Sequence, residues 1–339
     1  MRKKQITTFY MPQQVDALNG EDLYTRSPNK PALLLNKLKL EGLMPYFDVK
    51  EYAPFEKEEF YLAHTQEYVD AFFEGTKPLA TTNGLTWSEN LVNSVCYTNA
   101  SLYHAIKYAM QHPEVLTFSP TSGFHHAKPD RGSGFCTFSG QVIASVKLYQ
   151  ELGVSGAYLD LDHHFGNSIE DSRSFVPDLD KAIPVYANIN PKGTNESYLA
   201  DLCRNLAILK EKILAREIHY IVWCHGADSH VYDDLGGSVN TDYWLLVAEL
   251  FYKWVLEVEQ ELGYHLPVSM SLFGGYRTNA YDSVLSLHTA DLVMAANMLL
   301  GHSIAYEPQV EVNPYISKEP FRVAIAAGET IMGYLDEIL

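Results

Sequence analysis

The chain has 339 residues, of which 47% are hydrophobic and 20% charged, a composition that excludes a disordered or low-complexity protein. Its 25 basic and 42 acidic side chains give a net charge of −17, which disfavours direct binding to nucleic acid or to anionic membranes and favours cationic partners. Four scattered cysteines form no close pair, and the basic N-terminus runs into polar residues. We therefore expect one cytoplasmic domain spanning 1–339, without a disulfide framework or a secretion signal.

Short apolar runs alternate along the chain with helical patterns. The runs that predict strands are Val115–Pro120, Gly156–Asp162, Ala182–Ala187, His219–Gly226 and Pro267–Tyr276. The segments that predict helices include Ser139–Glu151, Glu196–Arg216 and Asp242–Leu262, and a last apolar helix is expected after 318–321 as far as Leu339. Continuous apolar strands separated by helices are typical of an α/β fold with a mainly parallel sheet that is covered on both faces.

Polar residues follow several of these predicted strands, at the sheet edge where α/β proteins bind their ligands. Asp162 and His164 are two residues apart, so on an extended segment they point the same way. A carboxylate and an imidazole in this arrangement suit a borderline metal such as zinc, although an Asp-x-His pair alone is also compatible with turn capping. Acidic residues within 226–237, after a later strand, offer a third ligand.

Two further strand ends carry groups that suit hydrolysis. Adjacent His125 and His126 lie in a glycine-containing loop, where one of them can act as a general base. Tyr276 follows two glycines at the end of another predicted strand, where its hydroxyl can donate to a developing oxyanion. Together the four strand ends predict one metal site, one base and one oxyanion donor.

The chain resembles the histone deacetylase and acetylpolyamine amidohydrolase superfamily, the arginase-like zinc deacetylases. The resemblance extends from about His64 to about Leu287 and rests on four motifs in the family's order. They are Gly-Phe-His-His-Ala at 123–127 with Gly-Phe-Cys at 134–136, Asp-Leu-Asp-His-His-Phe-Gly-Asn at 160–167, Gly-Ala-Asp at 226–228 with Asp-Asp-Leu-Gly-Gly at 233–237, and Phe-Gly-Gly-Tyr at 273–276. The implied fold is a single-domain arginase/deacetylase-like α/β fold.

The resemblance implies a Zn²⁺ site formed by Asp162, His164 and Asp233, and the same ligands would also accept Fe²⁺ or Co²⁺. A K⁺ ion of the kind found in relatives is also expected as an option. His126 would be the general base with His125 as its electrostatic partner.

The resemblance also implies roles for residues around these groups. Asp160 and Asn167 would orient the two histidines, and Tyr276 would polarise the amide carbonyl. Phe135, with Gly134 and Gly275, would form the tunnel for an acyl-lysine-like side chain.

The motifs depart from the family pattern at several positions. Phe165 replaces a histidine, Asp234 replaces a proline and Phe273 replaces a glycine. The segment between Asn188 and Ser197 is short, so the second aromatic wall of the tunnel has no counterpart in the sequence. The acid that grips the substrate backbone in relatives has no match near 83–87.

The predicted activity is metal-dependent hydrolysis of the amide in an acylated lysine or a small acylated amine such as an acetylated polyamine. The alternatives are a non-catalytic acyl-ligand binding protein and an arginase-like ureohydrolase, whose Asp-x-His-x-Asp spacing is interrupted here by Gly166. Asp162-His-His also resembles the signature of the DHH phosphoesterases, but their upstream Asp-x-Asp motif is missing. The sequence does not decide between protein and small-molecule substrates, and it predicts no oligomeric state.

Overall fold

The computed structural model describes residues 2–20 and 25–314, and seven parallel strands form one sheet through this part of the chain. The strands are β1 (Ile6–Phe9), β2 (Phe47–Lys50), β3 (Thr117–Ser119), β4 (Gly156–Asp160), β5 (Asn188–Ile189), β6 (Tyr220–Cys224) and β7 (Val268–Ser271). Their order across the sheet is β2-β1-β3-β7-β6-β4-β5. The predicted α/β fold with a parallel sheet is confirmed.

Eleven α-helices are seen in the same residues. They are α1 (Ala17–Gly20), α2 (Lys30–Leu40), α3 (Lys57–Phe60), α4 (Gln66–Glu74), α5 (Glu89–Gln111), α6 (Gly140–Leu152), α7 (Ser168–Ser172), α8 (Leu179–Ala182), α9 (Glu196–Leu214), α10 (Thr241–Leu262) and α11 (Tyr281–Leu300). Helix α5 packs against α6, while α10 packs against both α9 and α11. The predicted helices correspond closely to α6, α9 and α10.

The inner strands are short and apolar because helices cover both of their faces. Every residue of β1, β3, β4, β6 and β7 is buried, which is the pattern of a parallel sheet enclosed on both sides. Helix α11 and the residues just before it are long and apolar enough to cross a membrane, but 83% of that stretch is buried inside the fold. We therefore treat α11 as a core helix.

Local signals in the sequence set the ends of the long helices. The side chains of Ser88 and Asn240 accept hydrogen bonds from backbone amides in the first turns of α5 and α10. Gly153 and Gly263 end α6 and α10 in the left-handed conformation that glycine adopts without strain.

Two predictions of secondary structure differ from the structure. The segment Ala182–Ala187 is not a strand: α8 ends at Ala182, and a 3-10 turn over Val185–Ala187 precedes the two-residue strand β5. Pro184 lies between these elements and has no amide hydrogen to donate to a ladder, which explains the shortening. Strands β1 and β2 were not predicted, and the helix expected at the C-terminus lies outside the described residues.

The sheet order brings four loops together. Strands β3, β7, β6 and β4 are consecutive neighbours, and all four run in the same direction. The loops that follow them therefore meet at one edge of the sheet, where the motif residues lie.

Candidate active site

A possible metal site lies at this edge, directly after β4 and β6. Among the described residues, Asp162, His164 and Asp228 form the one group of at least three potential ligands whose atoms lie within 4.8 Å of one another. Nδ1 of His164 is 3.1 Å from Oδ1 of Asp162 and 3.0 Å from Oδ2 of Asp228. Two buried carboxylates and one half-exposed imidazole form a donor set that a divalent cation accepts.

The hydrogen bonds of His164 show that this group fits a cation. Its Nε2 donates to the carbonyl oxygen of Leu235 at 3.0 Å, which leaves the Nδ1 lone pair of the neutral ring facing two carboxylate oxygens. That arrangement is repulsive unless a proton or a metal ion lies between them. In the metal-free protein a proton takes this place, because hydrogen bonds to Asp162 and Asp228 raise the pKa of His164 to about 10.

The structure corrects the third ligand, because Asp228 takes the place predicted for Asp233. Both oxygens of Asp233 accept backbone hydrogen bonds, from the amide of Tyr276 at 2.7 Å and from that of Leu235 at 3.0 Å. Asp233 therefore holds the loop of Tyr276 rather than facing the metal group. Asp228 lies in the turn that immediately follows β6, and this closeness to the strand end is the signal that distinguishes it in the sequence.

Buried charges around the ligands are only partly balanced. Burial raises the pKa of Asp228 well above its usual range, and the neighbouring Asp162 adds to the effect. Burial acts in the same direction on Asp162, but His125 and the hydrogen bonds from His164 hold its pKa well below the usual range. A divalent cation would stabilise both carboxylates in their charged form.

Lys30, at the start of α2, interacts electrostatically with the carboxylates of this group and was not recognised in the sequence. It is fully buried, and its ammonium donates to the carbonyl of Phe273. Burial lowers its pKa to about 8, although the charges of Asp228, Asp162 and Asp233 act in the opposite direction. A lysine far from the motifs along the chain carries no local signal for this role.

The paired histidines after β3 are held by the two residues predicted to orient them. Nδ1 of His125 is 3.0 Å from Oδ2 of Asp160, and Nδ1 of His126 is 2.8 Å from Oδ1 of Asn167. Because an amide oxygen only accepts, Nδ1 of His126 carries the hydrogen and its Nε2 is left as the basic nitrogen. The two rings lie side by side, with their centroids 4.1 Å apart.

The environments of these histidines separate their protonation states. Burial alone would lower the pKa of His125, but Asp162 and Asp160 more than offset it and raise that pKa to about 9. Burial and the charge of His125 lower the pKa of His126 to about 4. At neutral pH His125 is therefore charged and His126 is neutral, as a base that accepts a proton must be.

Tyr276 lies near the metal group, with its ring centroid 6.1 Å from that of His164 and 6.1 Å from that of Phe135. Burial, reinforced by the charge of Asp162, raises the pKa of Tyr276 well above its usual range. Its hydroxyl therefore keeps its proton and remains a hydrogen-bond donor.

The predicted tunnel residues do not all lie in the same place. Phe135 and Gly134 line the small pocket that contains His125 and Tyr276. Gly134 has φ +50°, and a side chain there would come within 2.7 Å of Cδ2 of His126. The prediction that Gly275 lines the tunnel was wrong, because a side chain on Gly275 would meet Val284 in the core. Gly274 lines the pocket instead.

Two exposed apolar side chains flank the outer side of His164. Phe165 is 51% exposed and Leu235 is 49% exposed, and Leu235 also provides the carbonyl that binds His164. Nζ of Lys192 lies 5.8 Å from the centre of the Phe165 ring. This side of the site is more open than the side formed by Phe135.

Comparisons with known proteins indicate which family the chain resembles. A family model described as the histone deacetylase domain matches residues 24–178, which include His125, His126, Asp162 and His164. Histone deacetylase 8 of Danio rerio is 24% identical over 185 residues. The crystal structure of the HDA15 HD domain matches with a TM-score of 0.64 at 16% identity, covering 90% of this chain and 91% of that one. These matches support the histone deacetylase superfamily.

The relatives differ in how much of their length they share with this chain. An uncharacterized protein of Picosynechococcus sp. is 29% identical over 245 residues, or 66% of this chain and 77% of its own length. The chain spans about half of the Danio rerio deacetylase, 48%, and 35% of a probable histone deacetylase 19 of Zea mays. The match to the histone deacetylase domain supports a deacetylase-like hydrolase, and that family is generally metal-dependent.

Proposed function

We propose that the protein is a zinc-dependent deacylase that hydrolyses the amide of an acylated lysine or of an acylated polyamine. The observation that carries the proposal is the position of three groups at one sheet edge: the ligands Asp162, His164 and Asp228, the neutral His126, and the protonated Tyr276. A binding protein would need the pocket but neither the base nor the oxyanion donor. Among the described residues one group of ligands is found, whereas a ureohydrolase needs ligands for two metals.

A divalent cation bound by Asp162, His164 and Asp228 would supply Lewis-acid polarisation of the substrate carbonyl. Nε2 of His126 accepts a proton from water as the water oxygen adds to the acyl carbon. The hydroxyl of Tyr276 donates to the oxyanion that forms there. A protonated histidine of the pair then protonates the nitrogen as the C–N bond breaks, and the products are a carboxylate and an amine.

The acidic charge of the chain supports a cationic substrate and fits both proposed classes of amine. Acylated lysine residues in basic peptides and acylated polyamines are both cationic, and the chain has a net charge of −17. The side chain of Phe165, next to His164 in the sequence, is exposed, which is compatible with the approach of either substrate. Fe²⁺ and Co²⁺ are accepted by the same donor set as Zn²⁺. The four cysteines are buried and free, which supports a reducing compartment such as the cytoplasm.

The test is turnover of a panel of acyl-lysine peptides and acetylated polyamines by protein that is stripped of metal and then reloaded with Zn²⁺, Fe²⁺ or Co²⁺. Asp162→Ala and Tyr276→Phe should abolish the restored turnover. Asp130→Ala and Tyr264→Phe, at exposed positions that belong neither to the metal group nor to the lining of the small pocket, are the matched controls and should retain it. No amide hydrolysis by a folded protein that binds stoichiometric metal would exclude the proposed activity.

A further inference from the structure

The side-chain amide of Asn167 lies between His126 and a carboxylate that has no role in the site described so far. Nδ1 of His126 donates to Oδ1 of Asn167 at 2.8 Å, and Nδ2 of Asn167 donates to Oδ2 of Asp171, also at 2.8 Å. Nζ of Lys128 lies 3.5 Å from the same oxygen of Asp171. A line of contacts therefore leads from the neutral base, through Asn167, to a partly exposed ion pair.

The backbone fixes where Asn167 lies but not which way its amide faces. Asn167 precedes the first turn of α7, and Asp171 follows four residues later in that helix. The backbone amide of Ser168 donates to the carbonyl of His125 at 2.8 Å, which attaches the start of α7 to the histidine loop. The two ends of a side-chain amide have nearly the same shape, so hydrogen bonding rather than packing decides which end faces His126.

The direction of this amide matters because a neutral imidazole carries only one N–H group. When Oδ1 of Asn167 faces the ring, Nδ1 of His126 holds the hydrogen, and Nε2 keeps the lone pair that accepts a proton from water. When Nδ2 of Asn167 faces the ring, Nδ1 must accept, and the hydrogen moves to Nε2. A reversed amide would therefore remove the base without moving His126.

Asp171 distinguishes the two directions of the amide. Its carboxylate oxygens only accept, so they attract the Nδ2 end of Asn167 and repel the Oδ1 end. A hydrogen bond to a charged group favours one arrangement over another by about 10–100-fold. Lys128 partly balances the negative charge of Asp171 but leaves its carboxylate as the acceptor for Asn167.

On the basis of the proposed function, we propose that Asp171 is a positioning residue that sets the direction of the Asn167 amide and thereby the tautomer of the general base His126. Asp171 acts only through Asn167, since it belongs neither to the metal group nor to the lining of the small pocket. Because 37% of its side chain is exposed, substitutions of Asp171 should leave the fold intact.

The first test observes the tautomer directly. Long-range proton–nitrogen NMR correlations of protein with isotope-labelled histidine, with and without bound Zn²⁺, show which ring nitrogen carries the hydrogen, and His126→Gln identifies the signals of His126. The wild type and Asp171→Glu should carry it on Nδ1, and Asp171→Ala should show both tautomers. Asp171→Lys should carry it on Nε2, because an ammonium group attracts Oδ1 of Asn167 instead of Nδ2.

Turnover by the zinc-loaded protein should follow the fraction of His126 that has a basic Nε2. Asp171→Ala should lower kcat by about twofold, since the two directions of the amide become similarly populated. Asp171→Lys should lower kcat by about 10–100-fold and leave KM unchanged. Asp180→Lys is the matched control, because this exposed aspartate pairs with Arg173 and its substitution makes the same change of charge. It should keep the wild-type tautomer and kcat.

An Asn167→Asp background tests whether the effect passes through the amide. A carboxylate cannot reverse in this sense, because both of its oxygens accept. Adding Asp171→Lys to Asn167→Asp should therefore leave the hydrogen of His126 on Nδ1. A shift of the hydrogen to Nε2 in this background would overturn the inference.

The two readouts separate failure of this inference from failure of the proposed function. A tautomer that follows the charge at the position of Asp171 supports the inference even if no amide is hydrolysed, whereas lack of hydrolysis by the zinc-loaded wild type excludes the deacylase activity. A hydrogen that stays on Nδ1 in Asp171→Lys would overturn the inference. An equal change of tautomer in Asp180→Lys, or wild-type kcat in Asp171→Lys, would do the same.

Discussion

Gly274 offers a way to disrupt the metal group without changing any ligand. Its backbone is outside the left-handed region, so alanine is conformationally allowed there. Its methyl group would nevertheless lie 2.5 Å from Oδ2 of Asp162, and closer still to the carboxylate of Asp228. Ordinary carbon–oxygen contacts are about 3.3–3.6 Å, so at least one carboxylate must move by about 1 Å. Metal–ligand distances tolerate changes of only about 0.2 Å.

Gly274→Ala should therefore weaken zinc binding at least 100-fold, which corresponds to about 2.7 kcal/mol. Overpacking should also lower the free energy of unfolding by about 1–3 kcal/mol. Gly263→Ala is the matched control, because nothing lies within 4 Å of its new methyl group. Its left-handed backbone, φ +74°, should cost a similar ~1–2 kcal/mol without affecting the metal.

The assay is calorimetric titration of Zn²⁺ into chelator-stripped protein, with thermal unfolding of the metal-free forms measured in parallel. Wild-type zinc affinity in a folded Gly274→Ala protein would refute the assignment of the site. Equal loss of affinity in Gly263→Ala would show that the effect is one of general stability.

Three further predictions concern individual residues of the site. In the same titration, Asp228→Asn should lower zinc affinity at least 100-fold, whereas Asp233→Asn should lower it by less than tenfold. The reason is that only Asp228 belongs to the metal group. A larger loss of affinity in Asp233→Asn would show that Asp233 is the ligand. Tyr276→Phe should lower kcat by about 10²–10³ in the deacylation assay and leave zinc affinity unchanged, since the hydroxyl acts on the oxyanion. Because the pKa of His126 is lowered to about 4, this base stays neutral well below pH 6.5. The value of kcat/KM should therefore fall only as the pH approaches 4. An acid limb centred near pH 6.5 would instead indicate an unperturbed histidine.

The parts of the fold that the sequence predicted correctly are those with continuous apolar strands. Residues of β4 and β6 are buried throughout, so their pattern stands out from the helices around them. Strand β2 was missed because it is a half-buried edge strand, Phe47–Lys50, in which charged residues interrupt the apolar ones. Periodicity alone does not distinguish such a strand from a loop.

The prediction of the site was correct for residues that are close together in the sequence. It was wrong for a residue whose position depends on the path of a loop. Asp162 and His164 converge because they lie two residues apart after one strand. The loop after β6 offers three acids, Asp228, Asp233 and Asp234, and only its path decides which carboxylate meets His164. The position of Lys30 beside these carboxylates could not be predicted, because α2 is distant from the motifs along the chain.

Lys30 has a consequence for how the metal enters the protein. The positive charges of Lys30 and His125 lie close to the carboxylates of the site and partly balance them when no metal is bound. We therefore expect the metal-free protein to be folded. An incoming Zn²⁺ must displace the proton from Nδ1 of His164, and its charge will further lower the pKa of Lys30, which is already about 8. Metal loading is therefore an exchange of protons for a cation, and zinc affinity should increase with pH. The buried lysine thus makes metal occupancy of the site sensitive to the acidity of its surroundings.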